Sequence, residues 1–164
     1  MIKVRFEKVT NIPLSRLVVY DNITRIPFSL EVGAGEIGTE TQYTRYIKDQ
    51  NFIEFRFNKN NSILYDVTLV SFQDSSVFYI NSDIQVDNTV FYSCIFIEDS
   101  GILENPIKIK KGKDFLNISF METQDVKYFM ISEQCALGIN SESILTSIII
   151  LSLTDIELNN ILGQ

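Results

Sequence analysis

A chain of 164 residues without one histidine excludes Ser-His-Asp and Cys-His nucleophilic sites, H-E-x-x-H zinc sites and imidazole acid–base chemistry. Its 45% hydrophobic and 21% charged residues suit a globular protein with one core, read as a single domain over residues 1–164. The formal net charge of −7 repels phosphate and anionic lipid, so neither nucleic acid nor a membrane surface is an expected partner.

The chain opens with a strand. Over Ile2–Val9, Ile2, Val4 and Phe6 alternate with Lys3, Arg5 and Glu7, a period of two that is also unlike a signal peptide. Shorter strands are predicted at 17–20 and 28–32. "VGAGEIG" at 32–38 then fits G-x-G-x-x-G through Gly33, Gly35 and Gly38, but Glu36 would set a carboxylate beside a bound pyrophosphate. A glycine-rich connecting loop is expected, and no cofactor. Residues 38–50 form a weak helix candidate, since three threonines make a poor helix.

The clearest element is a hairpin. "FIEFRFN" sets Ile53, Phe55 and Phe57 against Glu54 and Arg56, "KNN" turns the chain, and "SILYDVTLVSF" returns with its own alternation. Aromatic and β-branched strands follow at 77–80 and 89–97. "IKIK" (107–110), 115–121, 126–131, 135–139 and 143–153 then make a C-terminal meander. Short gaps favour antiparallel neighbours. "TDIELNNILG" closes the chain as a helix, with Thr154 and Glu157 as a capping box and Gly163 at its end. The fold class is α+β, mainly β, with antiparallel sheets built from hairpins and a short C-terminal helix.

Two of these strands repeat. "NSILYDVTLVSFQD" (61–74) and "ESILTSIIILSLTD" (142–155) align without a gap, Ser62 over Ser143 and Asp74 over Asp155. A remote hairpin duplication and convergence on what hairpins need both account for the match.

Cys94 and Cys135 belong to no C-x-x-C pair and are expected to be reduced and buried. No apolar run reaches the roughly 18 residues of a membrane span, and a cytoplasmic protein is expected. "KIKKGK" clusters Lys108, Lys110, Lys111 and Lys113; it reads as a solvated, edge-guarding strand, with a phosphate patch as the alternative.

Charge is unevenly spread. Residues 1–60 carry 9 Lys/Arg against 7 acids, and 107–164 carry 5 against 7. Residues 61–106 have no base and 7 acids: Asp66, Asp74, Asp83, Asp87, Glu98, Asp99 and Glu104. Glu98, Asp99 and Glu104 invite a two-carboxylate or cation-binding reading, but no calcium-loop spacing accompanies them, and no metal is expected. Seven aromatics share the stretch: Tyr65, Phe72, Phe78, Tyr79, Phe91, Tyr92 and Phe96. Tyrosines within a single-sign rim suit capture of a basic protein. The bland alternative places the aromatics in the core and the acids in water.

"IEFRFNKNNSILYDVTLVSF" (53–72) and "VKYFMISEQCALGINSESILTSIIILSLTDIELNNIL" (126–162) resemble immunity proteins of bacterial polymorphic-toxin and contact-dependent growth-inhibition systems. The resemblance implies a small cytosolic protein, not an enzyme, that silences one cognate toxin domain, often a nuclease, by occlusion. It carries over no catalytic residues. The expected contacts are Asp74, Tyr79, Asp83, Asp87, Tyr92, Glu98, Asp99 and Glu104, on a monomer in the toxin-bound complex. The alternative is a structural or assembly subunit of a phage or surface complex, its strands pairing with copies of itself; a carboxylate-based enzyme ranks third.

Overall fold

The computed structural model describes residues 1–20, 26–33, 40–101 and 106–163. Period-two sequences become strands throughout them: β1 (Ile2–Val9), β2 (Ser15–Val19), β3 (Phe28–Val32), β4 (Thr41–Lys48), β5 (Asn51–Asn58), β6 (Leu64–Ser71), β7 (Val77–Tyr79) and β8 (Phe91–Asp99). Then come β9 (Lys108–Lys111), β10 (Leu116–Ser119), β11 (Lys127–Ser132), β12 (Cys135–Ile139) and β13 (Leu145–Ile150). The C-terminal helix α1 (Asp155–Leu162) starts on the expected capping box and stops at Gly163, whose φ of 69° is the left-handed C-cap.

Eight strands form one sheet in the order β1-β8-β11-β12-β13-β10-β9-β7, and five form another in the order β2-β3-β6-β5-β4. Pairing is antiparallel except at β7–β9 and a single β8–β11 contact, Phe91 with Met130, which run parallel. The larger sheet is therefore mixed, while the paired strands that short gaps join, β9–β10, β11–β12 and β12–β13, run antiparallel as expected. A correction concerns residues 38–50. Their described part from Thr41 is strand β4, because Thr44 and Tyr46 face inward while Tyr43, Arg45 and Ile47 face out. β-branched threonine suits that pleated surface.

Inner faces of both sheets share one apolar core, to which α1 adds Leu158, Ile161 and Leu162. Tyr46 ties the sheets together at its centre. Its hydroxyl accepts from Ile2 N (2.9 Å) and donates to Leu145 O (2.8 Å), while its ring stacks on Phe120 at 4.3 Å. Burial holds the Tyr46 phenol well above its ordinary pKa.

The sequence repeat is the visible part of a larger one. β2-β3-β6-β5-β4 and β9-β10-β13-β12-β11 follow the same order. Phe28 faces Leu69 and Val67 faces Phe55, as Leu116 faces Ile150 and Ile148 faces Leu137. The register slips at the same place in both hairpins, between Arg56 and Phe57 and between Gly138 and Ile139. Ser62 and Ser143 both adopt left-handed φ, 60° and 62°. In each turn an asparagine side chain, Asn58 or Asn140, accepts from the backbone N–H two residues on.

Even the contacts between halves correspond. Phe96 N donates to Ser62 O (2.8 Å) and Val4 N to Ser143 O (2.9 Å), and Val4 and Phe96 face one another across the β1–β8 ribbon. That ribbon lies on a pseudo-twofold axis. The matched aspartates fit too: Asp74 opens a 3-10 turn and Asp155 opens α1, after which β7 joins β9 and α1 packs against β2. Duplication accounts for order, register, turns and exchange together; hairpin convergence accounts for the turns alone.

Candidate functional site

The lysine- and arginine-free stretch does not assemble into one surface. Asp74, Tyr79, Asp83 and Asp87 lie on the segment that leaves β6, forms the edge strand β7 and runs on to β8. Glu98 and Asp99 lie at the end of β8, beside β1 at the other side of the sheet order. Glu104 falls outside the described residues.

The two groups also differ in partners. Glu98 stands 3.8 Å from the Lys3 ammonium. Asp99 accepts from the chain's amino group (3.2 Å), Gly101 N (3.2 Å) and the Thr44 hydroxyl. Partial desolvation raises the pKa of Asp99, but the hydrogen bonds from Thr44 and Gly101 outweigh it and hold its carboxyl below the ordinary value. A depressed carboxyl stabilises the fold above the unfolded pKa, about 3.9, and that contribution disappears as pH falls through the folded value. Asp99→Asn is thus less stable than the parent at pH 7, and the gap between them narrows below about pH 4 in urea titrations.

Successive residues of a strand point to opposite faces, so Glu98 and Asp99 do not face each other as an acid–base pair would. Among the described residues no three His, Cys, Asp or Glu side chains gather where a metal ion would sit.

Asp74, Asp83 and Asp87 are exposed and make no ion pair among the described residues. One oxygen of Asp87 accepts from Thr89 N and Oγ1 (2.9 and 2.6 Å), which lowers its pKa and fixes the loop. The Lys-rich segment is close by. Tyr79 and Asp83 line a cavity of about 370 Å3 with Lys111 and Lys113, and the Lys111 ammonium lies 5.4 Å from the Tyr79 ring centre. The rim is therefore mixed in sign rather than purely acidic.

Most of the aromatics are structural. Phe72 and Phe96 pack on the main core, and Phe91 on a second cluster that Ile80, Ile84 and Val86 cover from outside. Tyr92 sits edge-on to Phe6 and Phe129, a packing position rather than an anchor. Phe78 and Tyr79 are the exception, 46% and 63% exposed on edge strand β7.

Sequence reading missed a buried charge network. On the outer face of the smaller sheet, Glu54 accepts from Arg45 Nε (2.7 Å) and Arg56 Nε (2.9 Å). Asp66 stands 3.6 Å from Arg56 and accepts from Ser29 (2.7 Å) and Thr68 (2.9 Å). Both carboxylates are buried. Desolvation opposes the Arg56 charge, yet the Glu54 hydrogen bond and the fields of Asp66 and Glu54 raise its pKa. The signal was present: in the hairpin register Arg56 faces Asp66 directly, so Asp66 never belonged with the water-facing acids.

Cys94 and Cys135 are free and buried, and burial pushes both thiols above their ordinary pKa, away from reactive thiolate. Among the described residues no helix is long and apolar enough to cross a membrane. No protein-family model matches the chain, and no curated protein matches it.

Proposed function

We propose that this protein is an immunity protein that captures a basic toxin domain and blocks it by occlusion, using the segment from Asp74 to Asp87. The carrying observation is the edge strand β7. It presents Phe78 and Tyr79 to solvent and is flanked by Asp74, Asp83 and Asp87 without ion pairs among the described residues. Exposed aromatics supply desolvated contact area, and surrounding acids steer a cationic partner and suppress wrong ones. Tyr92, Glu98 and Asp99 drop out of the contact set because packing, Lys3 and the amino terminus occupy them. The resemblance of residues 53–72 and 126–162 to immunity proteins supports the same reading. Co-expression with a basic toxin domain from a neighbouring reading frame tests it: cells survive with the parent protein and die with Phe78→Asp/Tyr79→Asp. Survival with the double variant removes β7 from the interface.

A second reading has one observation in its favour. β4 is also an edge strand, with Tyr43 and Ile47 exposed, and open edges pair with other chains. An assembly subunit would show mass growing with concentration in light scattering; the inhibitor reading predicts a constant monomer mass.

A further inference from the structure

The outer face of the larger sheet holds a cavity of about 290 Å3 among β9, β10, β11 and β13, walled in part by Lys108, Lys110, Asn117, Glu122, Tyr128 and Ser147. Two of its walls are unusual. Asn117 and Ser147 are only 8% and 3% exposed, and Asn117 Oδ1 and Ser147 Oγ have no hydrogen-bond partner among the described residues. Buried polar side chains are almost always partnered in native proteins, so this pair brings unused hydrogen-bonding capacity to the wall of one cavity.

The pseudo-twofold shows which charge the cavity does not suit. In the shared register Asn117 corresponds to Ser29, Ser147 to Asp66, Gly138 to Arg56 and Ala136 to Glu54. In the first half the Arg56 guanidinium fills this face and finds both carboxylates. In the second half glycine removes the side chain, and alanine and serine remove both acids. A cation here would be buried without the counter-charges that hold Arg56.

The remaining charges favour the opposite sign. Glu122 is taken by Lys108, whereas the exposed Lys110 has no ion pair among the described residues. The Ser147 hydroxyl can donate, and a half-turn of the Asn117 amide presents its NH2 group.

We propose that this cavity is an oxyanion site for a carboxylate or phosphate group, with Lys110 supplying the charge and Asn117 and Ser147 the buried donors. Glu122 is a tethered competitor that shields the lysines until a ligand arrives. This assigns a role to Lys108 and Lys110 of "KIKKGK", whereas Lys111 and Lys113 line the cavity beside Tyr79 and Asp83.

The test is amide-resolved NMR titration of the whole protein with three probes: inorganic phosphate, acetate and guanidinium chloride. Saturable shifts at the Asn117 side-chain amide and the Ser147 N–H are expected with phosphate or acetate, and whichever binds more tightly identifies the class. Guanidinium should leave those signals in place. Lys110→Met should weaken binding at least tenfold and Glu122→Gln should strengthen it. Both residues are exposed, so neither change threatens folding. No saturable shift with either anion, binding indifferent to Lys110→Met, or saturation by guanidinium instead would each overturn the assignment.

Discussion

Arg56→Met lowers stability by about 2–4 kcal/mol, somewhat less than the roughly 3–5 expected when a fully buried ion pair loses a member. Glu54 and Asp66 are buried carboxylates that converge on the same guanidinium. Removing it leaves Asp66 with only the Ser29 and Thr68 hydroxyls, and Glu54 with Arg45. Those survivors, and the partial exposure of Arg56 itself, keep the loss below the full figure. Urea denaturation reads the effect. Adding Asp66→Asn to the variant should recover part of the loss, since it removes the uncompensated charge. An additive double variant would mean that the two groups do not interact in the folded state.

The second large effect lies at the sheet–sheet contact. Phe120 is fully buried, stacked on Tyr46 and edge-on to Phe55 at 5.7 Å. Phe120→Ala should cost about 3–5 kcal/mol through lost transfer energy and the cavity left behind. For a chain of this size that lowers Tm by roughly 2–4 °C per kcal/mol. Tyr46→Phe is the informative companion. It keeps the ring stack but orphans Ile2 N–H and Leu145 C=O, and should cost about 1–3 kcal/mol. If the phenylalanine variant proved as damaging as Phe120→Ala, the hydroxyl bridge rather than the packing would hold the sheets together. Calorimetric melting separates the two.

Strands were legible because period-two alternation is a local signal: Ile53, Phe55 and Phe57 point inward as the sequence pattern says, and Leu116, Ile118 and Phe120 do likewise. The helix was legible because Thr154, Glu157 and Gly163 cap it by local bonds. β4 was misread because its glycine-flanked, threonine-rich sequence carries no sharp period until its neighbour β5 supplies the inner face. Half of the duplication could be seen, namely the turn serines and the aspartates that open helical turns. Strand order and the exchange across β1–β8 could not, since they depend on contacts distant in sequence.

The candidate surface was the least legible part. Counting acids along the chain treats Asp66, Asp83 and Glu98 alike. In space the first is buried against Arg56, the second is open to water and the third lies beside Lys3. Only pairing decides that. β8 returns its last residues to β1, while β7 is carried to the opposite edge by its parallel pairing with β9. The acidic third is thereby divided, and the part left available is the one that also exposes Phe78 and Tyr79.

That division makes the reading sharp enough to test by association kinetics. Rates of capture of the toxin domain that the proposal requires should be measured across a salt series for the parent, for Asp74→Asn/Asp83→Asn/Asp87→Asn and for Glu98→Gln/Asp99→Asn. The account predicts that the triple variant associates more slowly at low salt with a flatter salt dependence, while the double variant follows the parent. Equal rates and slopes for parent and triple variant, or a loss confined to the double variant, would contradict it.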